Sequence, residues 1–138
     1  MKVVIDTNVI ISSIGKFSSN RKIFDAILKN KIDLCISNEV LFEYIEVLSH
    51  KTNQEISNNF ASLISILLNV MFTNIYYKWK LVEEDADDNK FIDCYIASNS
   101  DFLVTNDKHF DKLKTSKFPP INIISSNNFI IKYLSEIF

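Results

Sequence analysis

Lys2-Val3-Val4-Ile5-Asp6-Thr7-Asn8-Val9 is the stretch on which the fold turns. Three apolar residues, Val3, Val4 and Ile5, end abruptly on an acid. So short an apolar run reads as a buried strand, Lys2–Ile5, and not as a secretory signal. A helical pattern follows at once over Asn8–Ile14, and a second over Asn20–Asn30 sets Ile23, Phe24, Ile27 and Leu28 on one apolar face. Strand followed by helix is the unit of a parallel sheet covered on both faces, and the rest of the chain repeats it.

Leu34–Ser37 reads as the next short strand. From Asn38 to His50, Val40, Leu41, Tyr44, Val47 and Leu48 recur at helical spacing, while Glu39, Glu43 and Glu46 share another face. Gln54–Val70 reads as the second helix of this central hairpin, and Asn74–Tyr77 as a strand. The acidic run Glu83–Asp88 precedes a helix over Asn89–Ser98, with Phe91, Ile92, Tyr95 and Ile96 facing inward. Phe102-Leu103-Val104-Thr105 is a further strand, ended by Asn106-Asp107. Pro119-Pro120 breaks the chain before a last strand, Ile121–Ile124, and a closing helix, Asn127–Ile137. No repeat or linker interrupts the pattern, so residues 1–138 read as one α/β domain.

Bulk composition narrows the function. Hydrophobic residues make up 47% of the chain, enough for one core, and 15 Lys+Arg against 17 Asp+Glu leave a formal charge of only −2. That argues against a high-affinity, non-specific nucleic-acid binder, but not against an enzyme whose acids are neutralised by bound cations. A single glycine, Gly15, excludes a glycine-rich phosphate loop. Cys35 and Cys94 lack the further ligands of a zinc site and read as reduced, buried thiols. Phe60–Phe72 is interrupted by Ser62, Ser65 and Asn69 and is too short to span a bilayer. A soluble cytoplasmic protein with no membrane partner is expected.

In an open parallel sheet, sites form beyond the carboxyl ends of the strands. Two predicted strands end there in aspartate, at Asp6 and Asp107, and Asp88 stands at a helix start. If Asp6 and Asp107 lie on neighbouring strands, their like charges repel unless cations separate them. Clustered carboxylates with no obvious Lys or Arg partner favour Mg²⁺ or Mn²⁺, which prefer oxygen ligands. Each acid has a plainer reading as well: Asp6 and Asp88 as helix caps, and Glu43 as part of a solvated face with Glu39 and Glu46. His50 and His109 are isolated in sequence and read as surface or packing residues.

The motifs together resemble the PIN-domain family, and most of all its toxin-type members from bacterial toxin–antitoxin pairs. Val4-Ile5-Asp6-Thr7-Asn8-Val9 is similar to the family's opening strand with its first metal-binding aspartate. Ser37 to Leu48, with Glu43-Tyr44-Ile45-Glu46-Val47-Leu48, resembles the helix carrying the glutamate. Asp85-Ala86-Asp87-Asp88-Asn89-Lys90-Phe91 is similar to the D-x-x-D segment, its last aspartate at Asp88. Val104-Thr105-Asn106-Asp107, followed by His109-Phe110, resembles the final strand end. Ala86 stands where proline is common, and Asn106 where glycine often precedes the aspartate.

The resemblance implies a three-layer α/β/α sandwich with a mostly parallel sheet. It also implies an endoribonuclease activity dependent on Mg²⁺ or Mn²⁺ held by Asp6, Glu43, Asp88 and Asp107. Asn8 and Thr105 are positioned by sequence to support those ligands, and Lys16, Arg21, Lys22 and Lys108 are candidates for binding the flanking RNA backbone. Asp85, Asp87, Asp93 and Asp111 are weaker as ligands, Asp93 because five residues carry it round the helix from Asp88. An antitoxin partner and a homodimer are implied too, since Gln54–Val70 carries Phe60, Leu63, Ile64, Leu67 and Leu68, more than one face needs. Two rival readings stand beside this one. A haloacid-dehalogenase-like phosphatase also opens on a strand-end aspartate but needs a second acid where this chain has Asn8. A PIN-like module that binds RNA or protein without cutting is the other.

Overall fold

The computed structural model describes residues 1–82 and 86–135. Five strands form one parallel sheet: β1 (Lys2–Ile5), β2 (Asp33–Ile36), β3 (Val70–Phe72), β4 (Phe102–Val104) and β5 (Ile123–Ile124). Their order is β3-β2-β1-β4-β5. The chain therefore builds outward from β1 on one side, then returns to lay β4 and β5 on the other. Such a reversal leaves a crevice between the carboxyl ends of β1 and β4.

The strands follow from their composition. Val3, Val4, Ile5, Leu34, Cys35, Ile36, Leu103 and Val104 are all fully buried, because helices cover both faces of the sheet and leave no polar side for alternation. The helices are α1 (Thr7–Ile14), α2 (Arg21–Leu28), α3 (Asn38–Lys51), α4 (Gln54–Ile66), α5 (Asn89–Ser98) and α6 (Ser126–Phe129). Short 3₁₀ segments precede α5 at Ala86–Asp88 and follow β4 at Lys108–Thr115, and a π-helical turn, Ile130–Leu134, extends α6. No described helix is long and apolar enough to cross a membrane. Tyr44 of α3, fully buried, donates its hydroxyl to the Ile5 carbonyl at the end of β1. Its burial holds that phenol well above its ordinary pKa, and so protonated. This bond locks α3 to the strand end that carries Asp6.

Two expected elements move. The helix expected over Gln54–Val70 stops at Ile66, and the strand expected at Asn74–Tyr77 lies instead at Val70–Phe72. Leu67 and Leu68 continue the helical period, so the stop has no local signal. It comes from Asn69, buried, whose side-chain amide donates to the Ile27 and Ile32 carbonyls at 2.8 and 2.7 Å while its backbone carbonyl accepts from Leu34 N–H. Those three bonds pin the chain beside β2 and release Val70 to pair with Leu34. The last strand shortens to Ile123–Ile124, and the closing helix begins at Ser126, capped by the Ser125 hydroxyl. The end of that expected helix, and the first acids of the run Glu83–Asp88 (Asp85 among them), lie outside the described residues. Cys35 and Cys94 are free and buried, as expected, and burial pushes the Cys94 thiol up to about 12, so it stays protonated and inert near neutral pH.

Candidate metal centre

Asp6 stands where β1 ends, and it serves as the cap of α1. Its Oδ1 accepts the Thr7 N–H at 2.8 Å, and its backbone carbonyl accepts from Val9 and Ile10. The capping role is therefore real, and it fixes the carboxylate at the crevice instead of competing with a role there. Oδ2 accepts the Thr105 hydroxyl at 2.6 Å. That same hydroxyl oxygen accepts the Asp107 N–H at 3.1 Å, so Thr105, at the end of β4, ties the two strand-end aspartates together. Asp107 caps the following 3₁₀ segment through the His109 N–H at 2.9 Å.

Glu43 reaches the same crevice from α3. One carboxylate oxygen accepts the Thr7 hydroxyl, and the other meets the Lys90 ammonium at 2.8 Å. Glu39 and Glu46 of the same helix are exposed, and Glu39 makes only a loose surface pair with Lys78 at 3.7 Å. Asp88 arrives from the 3₁₀ turn before α5 and is buried. One of its oxygens, one of Asp107 and a nitrogen of His109 all lie within 4.8 Å of one another, with His109 Nδ1 3.4 Å from each carboxylate. The four acids thus form two linked groups. Asp88 and Asp107 share one tight cluster with His109, while Asp6 joins Asp107 through Thr105 and Glu43 joins Asp6 through Thr7.

The electrostatics follow from that crowding. Burial raises the Asp6 carboxyl above its usual range, the Thr105 and Thr7 hydrogen bonds oppose the rise, and the charges of Asp107 and Glu43 add to it. Burial works against the Lys90 charge, but its bond to Glu43 and the negative charges of Glu43, Asp87 and Glu39 together outweigh burial and raise its pKa. Oxygen-rich, mutually repelling carboxylates with one imidazole at the edge suit a hard divalent cation of the Mg²⁺ or Mn²⁺ kind.

Other residues sort themselves by position. Asn8 is exposed on the outer side of α1, and its neighbour Thr7 makes the contact to Glu43. Asn106, in the place of the expected glycine, exchanges two hydrogen bonds with Ser126, at 2.9 and 3.0 Å, and anchors the loop to α6. Asp93 is buried and accepts the Trp79 N–H at 3.0 Å; burial raises its pKa, and the bond opposes the rise. Asp111 pairs with Lys114 on the surface. Among the basic candidates, Arg21 is held by Asp25, Lys16 lies over the Phe17 ring, and Lys22 and Lys108 are exposed.

Two residues escaped the sequence reading. His109 is exposed, as expected, but not isolated, because the turn capped by Asp107 sets its ring against both carboxylates. Its only trace in sequence is its place two residues after Asp107. Lys90 gives Glu43 a cationic partner where none was evident, and its trace is its place two residues after Asp88 at the start of α5.

Comparison with known proteins agrees with this fold. A family model described as PIN domain matches residues 2–109. No curated protein matches the sequence. Among solved structures, VapBC2 from Rickettsia felis, bound to a DNA fragment from its promoter, has a chain 18% identical. The likeness covers 91% of this chain and 98% of that one, with a TM-score of 0.64. A chain of DNA-bound VapBC from Salmonella typhimurium matches over the same shares at 18% identity, with a TM-score of 0.56. At that identity the likeness concerns the fold.

Proposed function

The chain belongs to the PIN-domain family, and from that premise we propose that it is a metal-dependent endoribonuclease, the toxin of a type II toxin–antitoxin pair. Asp6, Glu43, Asp88 and Asp107 hold Mg²⁺ or Mn²⁺ in this reading. The observation that supports it most is the gathering of four carboxylates at the carboxyl ends of β1 and β4, with Thr7 joining Glu43 to Asp6, Thr105 joining Asp6 to Asp107, and His109 beside both Asp107 and Asp88. Such cations supply, when bound, a water acidic enough to attack near neutral pH and positive charge against the phosphoryl oxygens. The chain's own part is to orient. Thr105 sets the Asp6 and Asp107 carboxylates relative to each other, Thr7 does the same for Glu43, and Lys90 and His109 hold positive or proton-donating groups beside them. None of these residues needs to act as the nucleophile.

A cytoplasmic location suits this reading, given the two reduced, buried thiols. An antitoxin protein is the expected partner, supported by the likeness of the fold to the VapBC chains. A homodimer is part of the same reading. Phe60 and Ile64 are taken up by the core, but Ile66 and Leu68 at the end of α4 are 73% and 99% exposed, which is costly unless a second copy covers them. Light scattering at tens of micromolar, roughly, well above a typical micromolar affinity, is expected to give twice the chain mass; a strict monomer would remove the dimer from the account.

Metal removal separates folding from activity. The core is apolar and does not depend on the carboxylates, unlike a structural zinc module. EDTA is therefore expected to leave a cooperative melt in place while RNA cleavage stops. Cleavage that persists in EDTA would count against metal dependence, and a protein that binds RNA but never cuts it with Mg²⁺ or Mn²⁺ would favour the non-catalytic module.

A further inference from the structure

Between β3 and α5, residues 74–82 form neither strand nor helix. Trp79 N–H binds Asp93, and Val82 exchanges backbone hydrogen bonds with the Asn89 side chain, so the segment follows α5 back toward Asp88. Its sequence alternates rings and lysines: Tyr77, Lys78, Trp79, Lys80. Lys80 lies in the left-handed region at φ 54°, yet lysines and rings still part to different sides. Lys78 and Lys80 line a cleft of about 490 Å³ that also takes in Lys90, the residue on Glu43, and the acids Glu39, Asp87 and Asp93. Tyr77 and Trp79 instead make an edge-on ring pair at 4.9 Å, continued by Phe118 at 5.9 Å from Trp79. Tyr77 and Phe118 are 66% and 81% exposed, so this row of rings is built largely in water and contributes little to the core.

We propose that this ridge is the subsite for the single-stranded RNA flanking the cut, its bases stacking on Tyr77, Trp79 and Phe118 and its phosphates meeting Lys78 and Lys80. Exposed rings with lysines beside them are what non-specific single-strand binding uses, because every base has a face to stack and every nucleotide a phosphate. Trp and Tyr also anchor protein interfaces, but lysine is depleted there, and here Lys78 follows Tyr77 and Lys80 follows Trp79. Lys78 keeps only a loose, exposed pair with Glu39, of the kind that contributes little and yields readily to a phosphate. Position agrees as well: Asp93 holds Trp79 and Asn89, the residue after Asp88, holds Val82, so the segment runs toward the carboxylates. This inference rests on the RNA-cutting reading above and names where that substrate lies.

Trp79 is the chain's one tryptophan and so reports on the site directly. An oligoadenylate of about ten nucleotides, within the usual span of such sites, is titrated into the full-length protein in EDTA, where the RNA stays intact. Quenching of Trp79 emission is expected, with an affinity that falls as salt rises. The Tyr77→Ala/Phe118→Ala double variant removes two exposed rings and should melt as the parent does. It is expected to bind about tenfold more weakly or worse, and in Mg²⁺ to raise KM for cleavage with little change in kcat. Lys78→Gln/Lys80→Gln is expected to lower the salt slope by about two. Unchanged Trp79 emission on adding RNA overturns the proposal. So does a double variant that binds and cuts as the parent does, and more pointedly if it has lost a co-purifying protein partner, which would give the ridge to that protein. Binding that depends on the rings in a protein that never cuts RNA would defeat the nuclease reading and support the subsite.

Discussion

Purified Asp6→Asn protein is expected to fold as the parent does and to lose at least about a thousandfold in RNA cleavage, equivalent to roughly 4 kcal/mol of transition-state stabilisation. Asparagine can still cap α1 through its side-chain oxygen and can still bond the Thr105 hydroxyl, so the local structure at the end of β1 is kept. What disappears is a charge that a hard cation requires. The stability change has a predictable sign. The Asp6 carboxyl is raised in the folded protein by burial and by its acidic neighbours. The fold therefore holds its proton longer than the unfolded chain does, and stability falls as pH climbs from the ordinary carboxylate value through the raised one. Above that window the metal-free parent carries the full cost of an ionised Asp6, and the variant does not. Without metal at neutral pH, Asp6→Asn should melt no lower than the parent, and Mg²⁺ should raise the melting temperature of the parent more than that of the variant. A variant that cuts at the parental rate would remove Asp6 from the site.

Glu43→Gln is expected to lower cleavage by a factor of about a hundred or more, in line with loss of a metal-site interaction, while Glu39→Gln and Glu46→Gln cost far less. Only Glu43 of the three faces the crevice, with one oxygen on the Thr7 hydroxyl and the other on Lys90. Glutamine keeps the first contact and removes the charge that Lys90 answers. Parallel kinetics on the three variants at one Mg²⁺ concentration make the comparison, and three equally mild variants would overturn the assignment of Glu43.

β1, β2 and β4 were legible because their signals are local. Val3-Val4-Ile5-Asp6 and Phe102 to Asp107 each announce a buried strand and its end, and a parallel sheet puts such ends on one side. Asp6, Asp88 and Asp107 were therefore readable as candidates from pattern alone. Glu43 was not. Glu39, Glu43 and Glu46 share one helix face, and what separates them is contact with Thr7, 36 positions away, and Lys90, 47 positions away. The resemblance to the PIN-domain family selected Glu43 where periodicity had no means to. The end of α4 was illegible for a similar reason, since Leu67 and Leu68 keep the helical period and the stop is imposed by Asn69 reaching the Ile27 and Ile32 carbonyls. His109 depends on the turn that Asp107 caps, and the partial charge balance at Glu43 depends on Lys90 crossing from α5 to α3. Each of these is a tertiary fact with only a faint mark in the sequence.

The chemistry of the cut ends tests the central claim most directly. If the four acids hold cations that direct water onto the phosphodiester, a labelled single-stranded RNA incubated with the protein and Mg²⁺ should yield fragments with a free hydroxyl on one side of the cut and a linear phosphate on the other. EDTA should leave the RNA whole. Fragments ending in a 2′,3′-cyclic phosphate, formed equally well in EDTA, would mean that the RNA's own 2′-hydroxyl was the nucleophile and that the carboxylate centre does not do the cutting.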